Sequence, residues 1–396
     1  VIRHVALLST GDELVTGRTV DTNANFIADR LAAIGLEVVE IFVVGDYPDR
    51  IRRAWEQALA QADVVISTGG LGPTADDLTT ETVAALTGRP LHQDDAVADR
   101  IRQMFAAMGR VMPENNLKQA RFPEGATVIA NALGTAPGFR LALERDGRTR
   151  HLVVLPGVPR EMKPMLEQSV IPWLQAERGG GDEFASRVFQ TFGLSESALD
   201  EMVAACIRPE EARIAFRAAF PQISVRLTVQ DEPGRAVARL EDLAARLRAH
   251  VGDYIYGEGD TKMEAVVGGL LAERGLTLAL AESCTGGLVG SRITDVPGSS
   301  RYLRGGVVAY ANEAKQAQLG VAAATLAQHG AVSEETATEM ALGARRLFGA
   351  DIGLAVTGIA GPDGGTADKP VGTVCFALAA ADEVVSRRYK LWGTRD

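Results

Sequence analysis

Cysteine and histidine are both scarce. The 396 residues hold three cysteines (Cys206, Cys284 and Cys375) and five histidines (His4, His92, His151, His250 and His329). An odd number of cysteines without a CxxC pair supports neither a disulfide framework nor a zinc ribbon, and it points to a reducing, cytoplasmic compartment. Aromatic residues are also few, at 5%. Basic residues are outnumbered, 41 Lys plus Arg against 51 Asp plus Glu, for a net charge of -10. That balance argues against a protein that coats nucleic-acid phosphates. No apolar run approaches the length of a bilayer span, and the first residues alternate like a strand where a signal peptide would carry a positive start and an apolar block. The chain begins at Val1 without a methionine, as if trimmed there.

Hydrophobic residues make up 46% and charged residues 23%, the proportions of a folded soluble chain. At about 100–200 residues per domain, the length predicts two or three domains. Residues 2–9 read as a strand, followed by TGDEL and a helical pattern through Asn25, Ile27, Leu31 and Ile34. Further strands are predicted at 38–44, 64–67, 127–129, 139–143 and 152–155, with a closing helix at about 159–173. This alternation implies an α/β fold, a mainly parallel sheet with helices on both faces and ligands beyond the carboxyl ends of the strands. ERGGGD at 177–182 and GEGD at 257–260 read as boundaries. Between them a strand at 188–192, a helix at 195–206, strands at 212–219 and 222–229 and a helix at 235–251 suggest a small α+β module. The final block begins with a helix at 262–274 and repeats the strand and helix alternation to Tyr389.

The chemistry-bearing residues gather at turns. A strand at 276–281 runs into ESCTGG and then a helix at 288–293, so Ser283 sits on a strand-to-helix turn as a candidate nucleophile or phosphate contact. Gly286 and Gly287 would let a ligand approach closely. Weighed alone, a serine there, or Thr285, is more often a helix cap. A second junction carries Tyr310 and Lys315, and a third runs from a strand at 354–357 into GIAGPDGG. No histidine lies in these junctions, so a lysine with a lowered pKa, or a tyrosinate, is the expected proton acceptor. Taken singly, Tyr310 reads as a core ring with its hydroxyl at the rim, and Lys315 as a solvated charge. In the first domain TGDEL at 10–14, with Asp21, Asn23 and Asn25, follows strand one, and GGLGPTADDLT at 69–79 follows strand three. Glycine amides can cradle phosphates while Asp76 and Asp77 hold a hard cation such as Mg²⁺, a pairing suited to phosphoanhydride hydrolysis. The plainer reading of Asp76 and Asp77 is an acidic first turn of a helix.

ESCTGG (282–287), YANEAK (310–315), HGAVS (329–333), TGIAGPDGG (357–365) and KPVGTV (369–374) together resemble the C-terminal domain of the competence/damage-inducible protein A (CinA) family. The resemblance implies a nicotinamide mononucleotide (NMN) deamidase at 261–396, needing no cofactor. In it Ser283 attacks the carboxamide, Tyr310 and Lys315 manage the proton, and Thr357 lines the site with Gly286, Gly287, Gly358, Gly361 and Gly364. Cys284 is the rival nucleophile, and Glu282 is expected to orient the loop. The end of the chain, GTRD, resembles a point at which relatives continue into another helix, and the resemblance implies that an arginine shortly beyond it contributes to the family site.

The first domain, 1–176, resembles the molybdopterin-binding fold and, through NNLKQA (115–120), NALGTAPG (131–138) and LPGVPREM (155–162), the same family. The implied activity is ADP-ribose hydrolysis to AMP and ribose 5-phosphate, with a divalent cation and help from K⁺. Gly70, Gly72 and Thr74 are the phosphate cradle, Asp76 and Asp77 the metal ligands, and Asp12, Asp21 and Asn23 further candidates. The middle module, 184–256, resembles a KH-type domain, but 192–199 (FGLSESAL) lacks the GXXG loop that clamps a nucleic-acid backbone, so a structural or dimer-forming role is expected. The family implies a homodimer acting on NMN and ADP-ribose, with neither membrane nor nucleic acid as partner. Two other classes are a non-catalytic cofactor-assembly protein that binds molybdopterin, and an interaction protein in competence or damage response. The C-terminal motifs have no role in the first, and no motif supports DNA contact for the second.

Overall fold

A computed structural model describes residues 2–178, 182–381 and 383–392. By its contacts the chain divides into two compact units, one of Val1–Arg187, Ser197–Phe216 and Arg226–Val251, the other of Val188–Glu196, Arg217–Val225 and Gly252–Asp396. Among the described residues no helix is long and apolar enough to cross a membrane.

In the first unit β1 (His4–Thr10) is buried at every position after His4. Its alternate side chains serve opposite faces. Val5 and Leu7 pack with Ala24, Ile27 and Leu31 of the helix Thr22–Ala33, while Ala6 and Leu8 pack with Trp55, Ala58 and Leu59 of the helix Pro48–Gln61. Each such large side chain, once buried, contributes roughly 1.5–3 kcal/mol. β1 lies between β2 (Glu37–Val44) and β3 (Val64–Thr68), parallel to both. Two short strands, β4 (Leu91–Gln93) and β5 (Arg121–Pro123), pair separately. β6 (Thr127–Ile129), β7 (Gly138–Arg145) and β8 (Arg148–Leu155) complete a six-stranded sheet of order β2-β1-β3-β8-β7-β6. β8 is parallel to β3, but β7 and β6 are antiparallel. The reversal is set by Asp146 and Gly147, both at positive φ (53° and 69°), the signature of a two-residue hairpin turn.

The middle strands β9 (Glu183–Phe192), β10 (Arg213–Ala219), β11 (Gln222–Asp231) and β12 (Ile255–Glu258) form a sheet of order β10-β11-β9-β12. Gly257 and Glu258 therefore lie in a strand paired with β9, where the sequence suggests a linker. Of the other suggested linker, 179–181 lie outside the described residues.

The C-terminal sheet has the order β14-β13-β15-β16-β17, with β13 (Leu278–Glu282), β14 (Leu303–Val308), β15 (Ile352–Gly358), β16 (Thr373–Ala379) and β17 (Val384–Lys390). β13 is parallel to β14 and β15, whereas β15, β16 and β17 form an antiparallel meander. The expected alternation thus stops at β15, and residues 359–372 are a loop between strands. Glycine and proline there disfavour a helix, and the loop ends are tied by Ile359 N–H donating to Thr373 O and Gly372 N–H to Ile359 O, each at 2.8 Å. The core beside β13 is built of small side chains, including Ala279, Ala281, Ala337, Ala341 and Ala355. They let the helix Glu334–Phe348 lie close to the sheet. At Gly343 of that helix, any Cβ would strike the carbonyl of Leu319, the last residue of the helix Asn312–Leu319. This close packing fixes the helix that carries Lys315.

Candidate active sites

Parallel pairing brings the carboxyl ends of β13, β14 and β15 side by side. Ser283, immediately after β13, donates its N–H to Val356 O at 2.9 Å, and Ala309, after β14, donates its N–H to Glu282 O at 2.8 Å. Lys315 lies on the helix that follows β14. Its side chain is 1% exposed and points back along the helix, as long helical side chains do. Nζ donates to Ser283 Oγ at 3.0 Å, Ala309 O at 2.9 Å and Tyr310 O at 3.0 Å. No carboxylate pairs with this amine among the described residues. Burial therefore pushes its pKa below the ordinary lysine value, against a smaller opposite pull from Cys284. The solvated charge expected of Lys315 taken singly is instead one of the most buried side chains in the chain.

Tyr310 is linked to the amine through its backbone carbonyl, and the residue is 59% exposed rather than in the core. Thr357 follows Val356 on β15. It is buried, and its hydroxyl donates to Ala331 O at 2.8 Å, tying the HGAVS segment to this sheet edge. Gly286 and Gly287 adopt positive φ (59° and 100°), a turn that a side chain would strain. Gly358 ends β15, where a Cβ would stand 3.1 Å from Cys284 Sγ, while Gly361 and Gly364 lie in the loop 359–372.

One expectation at this turn is overturned. The helix Leu288–Thr294 has no side-chain cap from Ser283 or Thr285, and its N-terminal amides do not face an open anion site. Glu282, 4% exposed, occupies them: Oε2 accepts from Gly287 N–H at 3.0 Å and Val289 N–H at 3.1 Å, and Oε1 from Gly290 N–H at 2.8 Å. A buried carboxylate at a helix N-terminus satisfies both the amides and the dipole. Ser283 is thereby left to Lys315. The terminal GTRD segment lies outside the described residues.

In the first unit a cavity of about 580 Å³ opens at the carboxyl ends of β1, β3 and β8. Gly70, Gly72, Asp76 and Asp77 line it, as do Glu13, Asp46, Gln119 and Glu161. The other sequence candidates do different work. Thr74 directs its N–H (2.9 Å) and hydroxyl (2.5 Å) to Asp77 Oδ2, so its amide serves a turn in place of a phosphate cradle. Asp77 correspondingly has one oxygen engaged, and the helix that follows starts only at Thr79. Asp21 caps the helix Thr22–Ala33 by accepting from Ala24 N–H at 2.9 Å. Asn23 donates to Gly157 O at 2.7 Å and so holds a loop of the cavity wall. Asp12, in a short helical turn Asp12–Val15, and Asp46 each accept the other's backbone N–H on a carboxylate oxygen: Asp12 N–H donates to Asp46 Oδ2 at 2.9 Å, and Asp46 N–H to Asp12 Oδ1 at 3.2 Å.

Burial raises the pKa of Asp46, an amide bond from Asp12 opposes this, and the nearby negative charges of Asp12, Glu13 and Asp76 add to the rise. Among the described residues no three His, Cys, Asp or Glu side chains converge to hold a metal ion. The donor set thus does not fit a closed cage. A hard cation that keeps most of its waters needs only one or two carboxylates, and Asp46 and Asp76 both line the cavity. Asp46 and Glu161 were not singled out in the sequence, although each follows a parallel strand of the sheet, β2 and β8, on the edge where ligands bind.

Comparison with known proteins gives one consistent result. The family model "CinA C-terminal domain" matches residues 260–396, "Probable molybdopterin binding domain" matches 6–176, and "Damage-inducible protein CinA KH domain" matches 186–257. A competence-damage inducible protein of Desulforudis audaxviator is 44% identical over 390 residues, covering 98% of this chain and 94% of its own. A CinA-like protein of Gemmatimonas aurantiaca is 44% identical over 395 residues, 99% and 92% of the two chains. A solved structure, the protein CinA with unknown function from Thermoplasma acidophilum, is 37% identical, covers 43% of this chain and 98% of its own, and superposes with a TM-score of 0.38.

Proposed function

Since this chain belongs to the competence/damage-inducible CinA family, we propose that it is a bifunctional hydrolase of pyridine-nucleotide breakdown products, deamidating NMN in its C-terminal domain and cleaving ADP-ribose in its N-terminal one. The observation that carries the first activity is the 3.0 Å contact between Ser283 Oγ and the buried, unpaired-by-acid amine of Lys315. With that amine neutral, two N–H groups remain on Ala309 O and Tyr310 O, and the lone pair faces the serine hydroxyl. Lys315 takes the Oγ proton as Oγ bonds to the carboxamide carbon, then passes it to the leaving nitrogen, which departs as ammonia. Water, deprotonated by the same amine, opens the resulting ester and regenerates Ser283 with nicotinic acid mononucleotide as product. Glu282 holds the turn on which Ser283 sits. Cys284 is not the nucleophile in this reading, because the lysine amine is bonded to the serine oxygen.

For the second activity the carrying observation is the glycine-lined cavity with its excess of carboxylates. Asp46 and Asp76 would hold a divalent cation, which when bound neutralises phosphate charge. Gly70 and Gly72 let the phosphates approach the loop, and Asn23 and Thr74 keep the surrounding loops in shape. The test is product analysis on the full chain given NMN and ADP-ribose separately, with and without Mg²⁺. Ammonia from NMN without metal, and AMP from ADP-ribose only with it, are expected. Absence of either product withdraws that half of the proposal.

A further inference from the structure

The wall of the first cavity holds one acidic side chain that neither the carboxylate cluster nor the glycine loop explains. Glu161 stands in the first turn of the helix Pro159–Met165 and is 9% exposed. Its Oε2 accepts from Asn131 Nδ2 at 2.8 Å, and that amide is itself immobilised. Asn131 Nδ2 also donates to Ala136 O at 2.9 Å, and Oδ1 accepts from Leu133 N–H at 3.0 Å and Gly134 N–H at 2.9 Å. The chain is glycine at 134, where any Cβ would collide with the Glu161 carboxylate. Among the described residues no lysine, arginine or histidine pairs with Glu161 and Oε1 has no hydrogen-bond partner, and the residue lines the cavity.

A desolvated carboxylate fixed by one neutral donor, with its other oxygen unfilled, is held to accept a hydrogen bond from something that arrives. Phosphate oxygens are anionic and would be repelled. The cation of the ADP-ribose reading is already assigned to Asp46 and Asp76, on the same cavity wall. A neutral O–H donor remains. The ProGlyValPro loop that leads into this helix also abuts the glycine loop: a Cβ at Gly157 would stand 3.3 Å from Gly69 Cα. The open oxygen is thus carried by an element that touches the place assigned to the phosphates.

We infer that Glu161 is a catalytic residue of this cavity, the general base for the water that attacks the phosphoanhydride. This rests on the ADP-ribose reading above. The carboxylate takes one proton from water as the water oxygen bonds to phosphorus, and the P–O bond to the bridging oxygen breaks. The bridging oxygen leaves on the second phosphate with the bond's electron pair. AMP and ribose 5-phosphate account for all atoms of ADP-ribose and water.

Glu161→Gln tests this in the full chain, because its amide oxygen still accepts from Asn131 while its basicity is gone. Steady-state AMP formation with Mg²⁺ should lose about 10²- to 10⁴-fold in kcat with KM changed by less than about threefold. NMN deamidation should be unchanged. In Glu161→Ala, formate should restore part of the lost rate by supplying a carboxylate to the vacated space. An unchanged kcat, a rise in KM alone as for a group that holds a ribose hydroxyl, or an inactive Glu161→Ala that formate does not rescue would each overturn the inference. A wild-type chain that forms no AMP removes the domain reading and this inference together. An active wild type with an indifferent Glu161→Gln removes only the inference.

Discussion

Replacing Lys315 by methionine probes the site's electrostatics and its chemistry together. Methionine keeps most of the aliphatic stem but removes the donor of three hydrogen bonds, to Ser283 Oγ, Ala309 O and Tyr310 O. At about 0.5–1.5 kcal/mol each, these favour the wild type. Against them stands the cost of an amine desolvated without a counter-charge, so the net stability change should stay within about 2 kcal/mol. The activity change should be far larger. A positioned base contributes about 10²- to 10⁴-fold, or about 3–5 kcal/mol of barrier, all of it lost in Lys315→Met. Stability should also depend on pH in a defined direction. The folded pKa of Lys315 is lowered by burial, so between that value and the unfolded value of about 10.4 the unfolded chain binds more protons. Wild-type stability from this residue therefore rises with pH across that window, and below it the full cost of burying the amine is present. Urea unfolding of both proteins at about pH 7 and pH 9.5, beside ammonia release from NMN, reads all three effects. Methionine should compare more favourably with wild type at the lower pH. A variant within tenfold of wild-type activity, or a stability difference identical at the two pH values, refutes the assignment of a buried neutral base.

Further outcomes follow from the same geometry. The deamidase rate should climb with pH on a limb that ends below the ordinary lysine value, and Lys315→Arg, which cannot give up its proton, should be inactive throughout the profile. Glu282→Gln weakens three charge-assisted amide bonds and should lower both the melting temperature and the deamidase rate while ADP-ribose cleavage persists; equal loss of both activities would contradict its local role. Asp76→Ala should abolish Mg²⁺-dependent AMP formation, an unchanged rate contradicting the assignment. Asp46 has a raised folded pKa, so its ionised form destabilises the metal-free chain as pH rises above the unfolded value near 3.9. Asp46→Asn should accordingly melt higher than wild type without metal at neutral pH, and should lose part of the Mg²⁺-induced rise in melting temperature.

What could be read from the sequence was the part governed by strand ends. The meeting of Ser283 and Lys315 at one sheet edge was legible because each follows a strand that enters a helix, and parallel pairing of β13 with β14 sets such ends side by side. The antiparallel halves of both large sheets were not anticipated. Asp146–Gly147 is a strong hairpin signal lying between two strands taken as successive members of the sheet, and the GIAGPDGG loop resembles a ligand-binding turn while joining two strands. Some side chains expected at the site also hold local structure: Thr74 and Asp77 bond to one another, and Asp21 caps a helix. Such uses depend on atoms a few ångströms apart, and composition and spacing do not distinguish them from ligand contacts. Asp46 and Glu161 escaped notice for the opposite reason, each being an isolated acid whose burial arises only when distant loops close around it.

Nucleophilic attack by Ser283 is tested most directly by giving the Ser283→Ala chain NMN and ADP-ribose separately, with ammonia and AMP measured on one preparation. No ammonia and an undiminished yield of AMP from ADP-ribose are expected; continued release of ammonia by that variant would mean that another group attacks the carboxamide.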